Sequence, residues 1–106
     1  MVTQEVINKF SDIIKTKLEP IKIILFGSYA YGKPEKNSDL DIMVILKESN
    51  LPRFKRSRNI RLELQRIFDI DIDILVYTQA EINEWSNVEL SFVNTVLKKG
   101  KILYER

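Results

Sequence analysis

The sequence predicts an α+β fold: an α/β two-layer arrangement in which a small mixed sheet has helices packed on one face. Three observations predict it. Apolar residues recur at helical spacing over 3–18 and again over 52–68. Apolar runs at 21–26, 40–46 and 70–76 have the length of strands. Helix, strand, loop, strand, helix, strand and helices follow in order, with no linker rich in Pro, Gly or Ser between them. A chain of 106 residues suffices for one core and is too short for two, so residues 1–106 read as a single domain.

Helix 3–18 starts at Thr3, a capping residue, with Glu5 in the first turn where the dipole favours negative charge. Val6, Ile7, Phe10, Ile13, Ile14 and Leu18 form one stripe, and Pro20 stops the helix. Ile21 to Phe26 lacks alternation, as a strand covered on both faces should. Gly27 breaks it, residues 28–32 fit a single helical turn, and Gly32 and Pro34 end that turn. Leu40, Ile42, Val44 and Leu46 alternate with Asp39, Asp41, Met43 and Ile45, so Asp39 and Asp41 point to the same face of a strand. Ser49 or Asn50 caps the next helix, with Pro52 in its first turn and Phe68 near its end. Its buried stripe is Ile60, Leu64, Ile67 and Phe68, and basic residues crowd the rest over 53–66. In the third strand Ile70, Ile72, Ile74 and Val76 lie opposite Asp69, Asp71 and Asp73. Thr78-Gln79-Ala80-Glu81 is a capping box opening a helix with Ile82 and Trp85. A last helix turns Leu90, Val93, Val96 and Leu97 inward, and Gly100 is its natural C′ residue. Lys101 to Tyr104 adds a short edge strand. The second face of the sheet is expected to be open and to carry the aspartates.

Composition narrows the chemistry. Hydrophobic content of 44% with 30% charge is ordinary for a globular domain, and a net charge of +2 does not argue for nucleic acid. The absence of cysteine excludes disulfides and thiolate zinc sites. The absence of histidine removes the commonest general base, any Ser-His-Asp triad and imidazole ligands. Catalysis would fall to carboxylates and bound metal. No apolar run approaches the roughly 20 residues of a membrane span, and the N-terminus alternates polar and apolar residues unlike a signal peptide. The expectation is a cytoplasmic protein with no membrane partner.

Gly27-Ser28 follows a buried strand. Glycine permits close backbone approach there, and the N–H groups of the next turn with the Ser28 hydroxyl make an anion site suited to nucleotide phosphates. Asp39 and Asp41 on one strand face repel each other by on the order of a few kcal/mol at ~4–6 Å and an effective ε of ~20 unless a cation intervenes. If the second and third strands are neighbours, one of Asp69, Asp71 and Asp73 joins them. Three carboxylates beside a phosphate-binding turn suit two divalent ions ~3.5–4 Å apart for an in-line phosphoryl displacement. Hard oxygen ligands favour Mg2+, with Mn2+ as the alternative.

Gly27-Ser28, ten residues, then Asp39-x-Asp41 resembles the motif of the nucleotidyltransferase superfamily related to DNA polymerase beta. The short chain, the Gly32 spacing, Ser38 before Asp39 and Gly100-Lys101-Ile102-Leu103-Tyr104 resemble its minimal members, the MNT-domain antitoxins paired with HEPN-domain toxins. The resemblance implies a polymerase beta-like fold and transfer of AMP from ATP to a hydroxyl with release of pyrophosphate. It implies that Gly27 and Ser28 contact the terminal phosphates and that Asp39 and Asp41 ligate both metals. The third acid, catalytic ligand and acceptor of the hydroxyl proton, is assigned to Asp73 by its place in Asp-Ile-Leu-Val-Tyr-Thr, with Asp71 the runner-up. The implied partner is a cognate HEPN toxin, modified on a tyrosine that silences its RNase activity.

Two rival readings stand beside this one: a vestigial site that neutralises its partner by binding alone, or a nucleotidyltransferase with a nucleic-acid or small-molecule acceptor. The second would need an acceptor site from a partner or a second copy, so a homo- or hetero-oligomer is implied. The basic helix 53–66 reads as a solvated face rather than a nucleic-acid site. Lys33 and Lys36 can steer a triphosphate or simply solvate their loop. Tyr29 and Tyr31 read as packing under the turn, and Trp85 as core.

Overall fold

In the computed structural model, residues 2–35, 37–88 and 91–106 are described. Ten elements follow in order: α1 (Gln4–Leu18), β1 (Lys22–Phe26), α2 (Ser28–Tyr31), β2 (Leu40–Leu46), α3 (Arg53–Arg56), α4 (Arg58–Phe68), β3 (Ile72–Thr78), α5 (Gln79–Ser86), α6 (Phe92–Lys99) and β4 (Lys101–Glu105). Thr3 caps α1 as its sequence position predicts, its side chain accepting from the Val6 N–H at 3.3 Å. Glu19 ends α1 in the left-handed region at φ 47°, one residue before Pro20. None of these helices is long and apolar enough to cross a membrane.

Among the described residues the strands form one sheet in the order β3-β2-β1-β4. The β1–β2 and β1–β4 pairs are antiparallel and β2–β3 is parallel. The mixed sheet of the predicted α+β fold is therefore present, and β1 is central as its unbroken apolar run requires. The parallel β2–β3 pair needs a long crossover, which α3 and α4 supply.

The layers differ from the expected one-sided cover. One face packs Ile23, Leu25, Ile42, Val44, Ile74 and Val76 against α1 and α4. The other packs Ile24, Phe26, Met43, Ile45 and Tyr77 against Ile82 of α5 and Val93 and Val96 of α6. The second face is thus covered over its middle and far parts and open at the carboxylate end. The reason lies in β1 and β2. Their apolar residues on that face, Ile24, Phe26, Met43 and Ile45, are at most 6% exposed and need a cover of their own.

Four local expectations also change. The helix over 52–68 is two helices, parting at Ser57. Ile67 is not buried, because its side chain leaves the α4 stripe of Ile60 and Leu64 and is 56% exposed. Trp85 is 44% exposed rather than core. Gly100 is extended, at φ −68° and ψ 161°. It is required for space instead: a Cβ there would come 2.5 Å from Ile24 Cγ2 and 2.7 Å from the Val96 carbonyl oxygen. The inward place given to Leu90, and Lys36 of the charged loop, lie outside the described residues.

Candidate active site

Three segments converge at the open end of the second face. The first is the exit of β1. Phe26 is the last strand residue, and Gly27 turns the chain at φ 76° and ψ −158°, a conformation side chains rarely adopt. The Gly27 carbonyl accepts from the Ala30 and Tyr31 N–H groups at 3.0 and 3.1 Å, closing the single turn of α2. The N–H groups of Ser28 and Tyr29 come first in that turn and have no intrahelical acceptor. The Tyr29 hydroxyl accepts from the Val2 N–H at 3.1 Å, and its ring packs on the core as expected. Tyr31 instead is 48% exposed.

The second segment is the approach to β2. The Glu35 N–H donates to Ser38 Oγ at 2.8 Å, and the Ser38 N–H donates to the Glu35 carbonyl at 3.0 Å. This reciprocal pair fixes the loop immediately before Asp39. Asp39 lies exposed just ahead of the strand, and Asp41 is its second residue, half-buried.

The third is the start of β3. In the parallel register Asp41 is opposite Asp73, and on its other side Asp41 is opposite Phe26. Asp73 is therefore the acid placed beside Asp41. Asp71 precedes the strand; its carbonyl accepts from the Leu40 N–H at 3.0 Å. With Gln65, Asp69 and Ile70 it lines a separate hollow of about 440 Å3.

Electrostatics tie these groups together. Burial first, then the charges of Asp73 and Asp39, push the Asp41 carboxyl up from 3.8 to about 6. Of the two like charges that act on Asp41, Asp39 belongs to the Asp39-x-Asp41 motif and Asp73 is the acid preferred as the third. Gly27 touches the same carboxylate: a Cβ at residue 27 would overlap Asp41 Oδ2 and lie 3.1 Å from its Cγ. The bend can approach Asp41 only because residue 27 has no side chain.

These residues fit a hard divalent cation. Their donors are carboxylate oxygens, and the charges of Asp73 and Asp39 help raise the proton affinity of Asp41. No three-carboxylate cage is preformed among the described residues. Mg2+ does not need one, since it keeps several waters and is bound through one or two carboxylates plus substrate phosphates.

One ion pair with no local signal in the sequence holds the neighbouring wall. Arg56, read as part of a solvated basic face, has a side chain only 8% exposed. Its Nη1 donates to Glu81 Oε1 at 2.6 Å and to the Val76 carbonyl at 3.2 Å, and its Nε donates to the Leu51 carbonyl at 2.9 Å. Glu81 also accepts from the Thr78 N–H at 2.9 Å, completing the predicted capping box. Arg56 thereby ties α3 to the end of β3 and to α5. Six cations in one stretch gave no signal as to which would turn inward.

The family described as "Polymerase beta, Nucleotidyltransferase" matches residues 8–106. A Methanocaldococcus jannaschii protein named "Putative protein adenylyltransferase MJ1379" is 36% identical over 72 residues, covering 68% of this chain and 72% of that one. A toxin–antitoxin crystal structure with AMP-PNP is similar at a TM-score of 0.65 and 25% identity, over 93% of this chain and 73% of that chain. A structure of the tri-AMPylated Shewanella oneidensis HEPN toxin in complex with MNT antitoxin shares the fold, at a TM-score of 0.54 and 22% identity over 94% and 71% of the two chains.

Proposed function

The chain belongs to the polymerase beta nucleotidyltransferase family, and from that premise we propose that it transfers AMP from ATP to a tyrosine hydroxyl of a cognate HEPN-domain toxin, acting as the antitoxin. Residues 1–106 would serve as one nucleotidyltransferase domain, working in the cytoplasm in a hetero-oligomer that supplies the acceptor. The observation that carries the reading is the position of Asp41, held between the Gly27 bend on one strand and Asp73 on the other. The name of the M. jannaschii relative and the toxin–antitoxin neighbour with AMP-PNP support it.

Asp39, Asp41 and Asp73 would hold two Mg2+ ions, or Mn2+, which when bound supply charge neutralisation and polarise the reacting phosphate. The chain's own groups do the rest. Gly27 lets the backbone approach the terminal phosphates, and the Ser28 hydroxyl with the first N–H groups of α2 orients them. Asp73, exposed at the sheet edge, accepts the proton of the attacking hydroxyl. The hydroxyl oxygen bonds to the α-phosphorus, the bond from that phosphorus to the bridging oxygen breaks, and pyrophosphate leaves from the Gly27-Ser28 side.

Incubation with α-labelled ATP, Mg2+ and the co-encoded partner tests this. Label on a partner tyrosine from the wild type, absent with an Asp39→Ala, Asp41→Ala double variant, is the expected result. An unlabelled partner, or equal transfer by the double variant, overturns it.

A further inference from the structure

We infer that the purine ring of the nucleotide is held in the aromatic hollow between β3, α5 and α6, stacked on Trp85 and Phe92 with Arg53 at its mouth. This rests on the nucleotidyltransferase reading and adds which part of the chain holds the base.

The hollow has a volume of about 280 Å3 and lies on the second face of the sheet. Small-molecule sites run from ~300 Å3 upward, so it has room for one ring system and not for a peptide. Tyr77 and Val93 are its buried floor. Trp85, Val88 and Phe92 line it too, and each is 44–48% exposed. Three large apolar side chains left in water around one concavity mark a place that a ligand covers. The walls offer rings, which suits a flat aromatic ligand. The rims are braced against each other. Ser91 Oγ donates to the Trp85 carbonyl of α5 at 2.9 Å and accepts from the Asn94 N–H of α6 at 3.0 Å. By contrast, the hollow walled by Gln65, Asp69, Ile70 and Asp71 has no ring to stack on.

The aromatic hollow adjoins the carboxylates at two points. Phe92 meets the Phe26 ring edge-on, with centroids 5.4 Å apart, and Phe26 is the residue opposite Asp41. On the other side Arg53 lines both this hollow and the groove that Asp73 lines. Asp73 and Tyr77 lie on the same face of β3, ~13 Å apart along the strand. Terminal phosphates at Gly27-Ser28 put the α-phosphorus at the row of Phe26, Asp41 and Asp73. The nucleoside then continues away from Gly27, and the hollow is the apolar space it meets.

Arg53 stands at the passage between the two. Its guanidinium lies 5.0 Å over the Tyr77 ring, and among the described residues it has no carboxylate partner. A positive charge held on an aromatic wall attracts the face of a further ring entering beside it. Stacking reads ring surface rather than a hydrogen-bond pattern, so a purine is favoured over a pyrimidine.

Trp85 is the single tryptophan of the chain, so its fluorescence reads the hollow directly. The test uses the full chain with Mg2+ and ATP, CTP or tripolyphosphate, which carries the phosphates without a base. ATP should quench Trp85, and tripolyphosphate should bind without quenching. By calorimetry, Trp85→Ala and Phe92→Leu should each weaken ATP by about tenfold and leave tripolyphosphate unchanged. Trp85→Phe, which keeps an aromatic face, should recover most of the loss. CTP should bind the wild type more weakly than ATP, and Trp85→Ala should narrow the difference. Retained tripolyphosphate binding shows that a variant is folded; where a variant loses it, quenching in the wild type decides. Equal quenching by ATP and tripolyphosphate, or unchanged ATP affinity in both folded variants, overturns the inference alone. Variants that bind ATP normally and yet lose AMP transfer overturn it as well, and put the acceptor's ring in the hollow instead. Wild-type protein that binds neither ATP nor tripolyphosphate with Mg2+ overturns the nucleotidyltransferase reading and the inference with it.

Discussion

Gly27 and Asp41 are in such close contact across the β1–β2 pair that a single added carbon at residue 27 would overlap the Asp41 carboxylate. Gly27→Ala therefore meets two penalties at once. The backbone at φ 76° is strained for any side chain, and Asp41 must move to make room. The expected cost is about 1–3 kcal/mol of stability. Mg2+ with ATP should raise the unfolding midpoint of the wild type and leave that of the variant almost unmoved. Thermal unfolding with and without the nucleotide checks both; an unstrained variant with a full ligand shift would contradict the role assigned to the bend.

The raised Asp41 group makes a pH prediction whose sign is fixed. Its carboxyl rises from 3.8 to about 6 on folding, so between those values the folded state holds a proton the unfolded state has lost. Stability contributed by Asp41 is therefore complete below 3.8 and declines as pH rises to about 6. Added Mg2+ should offset the decline, and its apparent affinity should weaken as pH falls below about 6, because the ion displaces the Asp41 proton. Denaturant midpoints of the wild type against Asp41→Asn across this window isolate the effect from other carboxylates.

Arg56 and Glu81 form a pair that couples three elements. Arg56→Ala leaves Glu81 and the Val76 carbonyl short of a donor, with an expected loss of about 1.5–3 kcal/mol. The Arg56 hydrogen bond is the main reason the Glu81 carboxyl is held below its ordinary 4.5. That contribution is present above 4.5 and fades as pH falls through the lower folded value. A double-mutant cycle with Glu81→Gln, read by chemical denaturation, should give a coupling on the order of 1 kcal/mol. A coupling near zero would mean that Arg56 packs without acting as a clamp.

Local signals were legible where one residue acts on its immediate neighbours. Thr3, Pro20, the capping box at Thr78 and the alternation around Asp41 each place an element to within a residue or two. Strand periodicity places Asp41 in β2, whereas Asp39 stands just ahead of the strand and reaches Asp41 by its charge. What could not be read depends on partners distant in sequence. The preference for Asp73 over Asp71 rests on the family resemblance, and the parallel register that sets Asp73 opposite Asp41 is stated by no local pattern. The cover that α5 and α6 lay over the second face follows from packing onto Ile24 and Met43. Arg56 turns inward only because Glu81 and the Val76 carbonyl wait at the far end of β3. Gly100 ends α6 with an extended backbone, and its demand is for space beside Ile24.

The two candidate third acids separate cleanly by substitution. Asp73 occupies the sheet row of Asp41 and acts on it electrostatically. Asp71 meets β2 through its backbone carbonyl, a contact that a side-chain change leaves intact. Asp73→Asn should therefore lower AMP transfer by about 10²–10⁴-fold, the range for loss of a positioned proton acceptor, and should also lower the Asp41 carboxyl by removing a neighbouring charge. Asp71→Asn should stay within a few-fold of the wild type and leave Asp41 where it was. Transfer rates, with the Asp41 titration followed by NMR in the metal-free protein, read the two effects independently. If Asp71→Asn proved the inactive variant while Asp73→Asn kept its rate, the strand register would have misled the assignment, and the proton acceptor would lie at the hollow beside Gln65 instead.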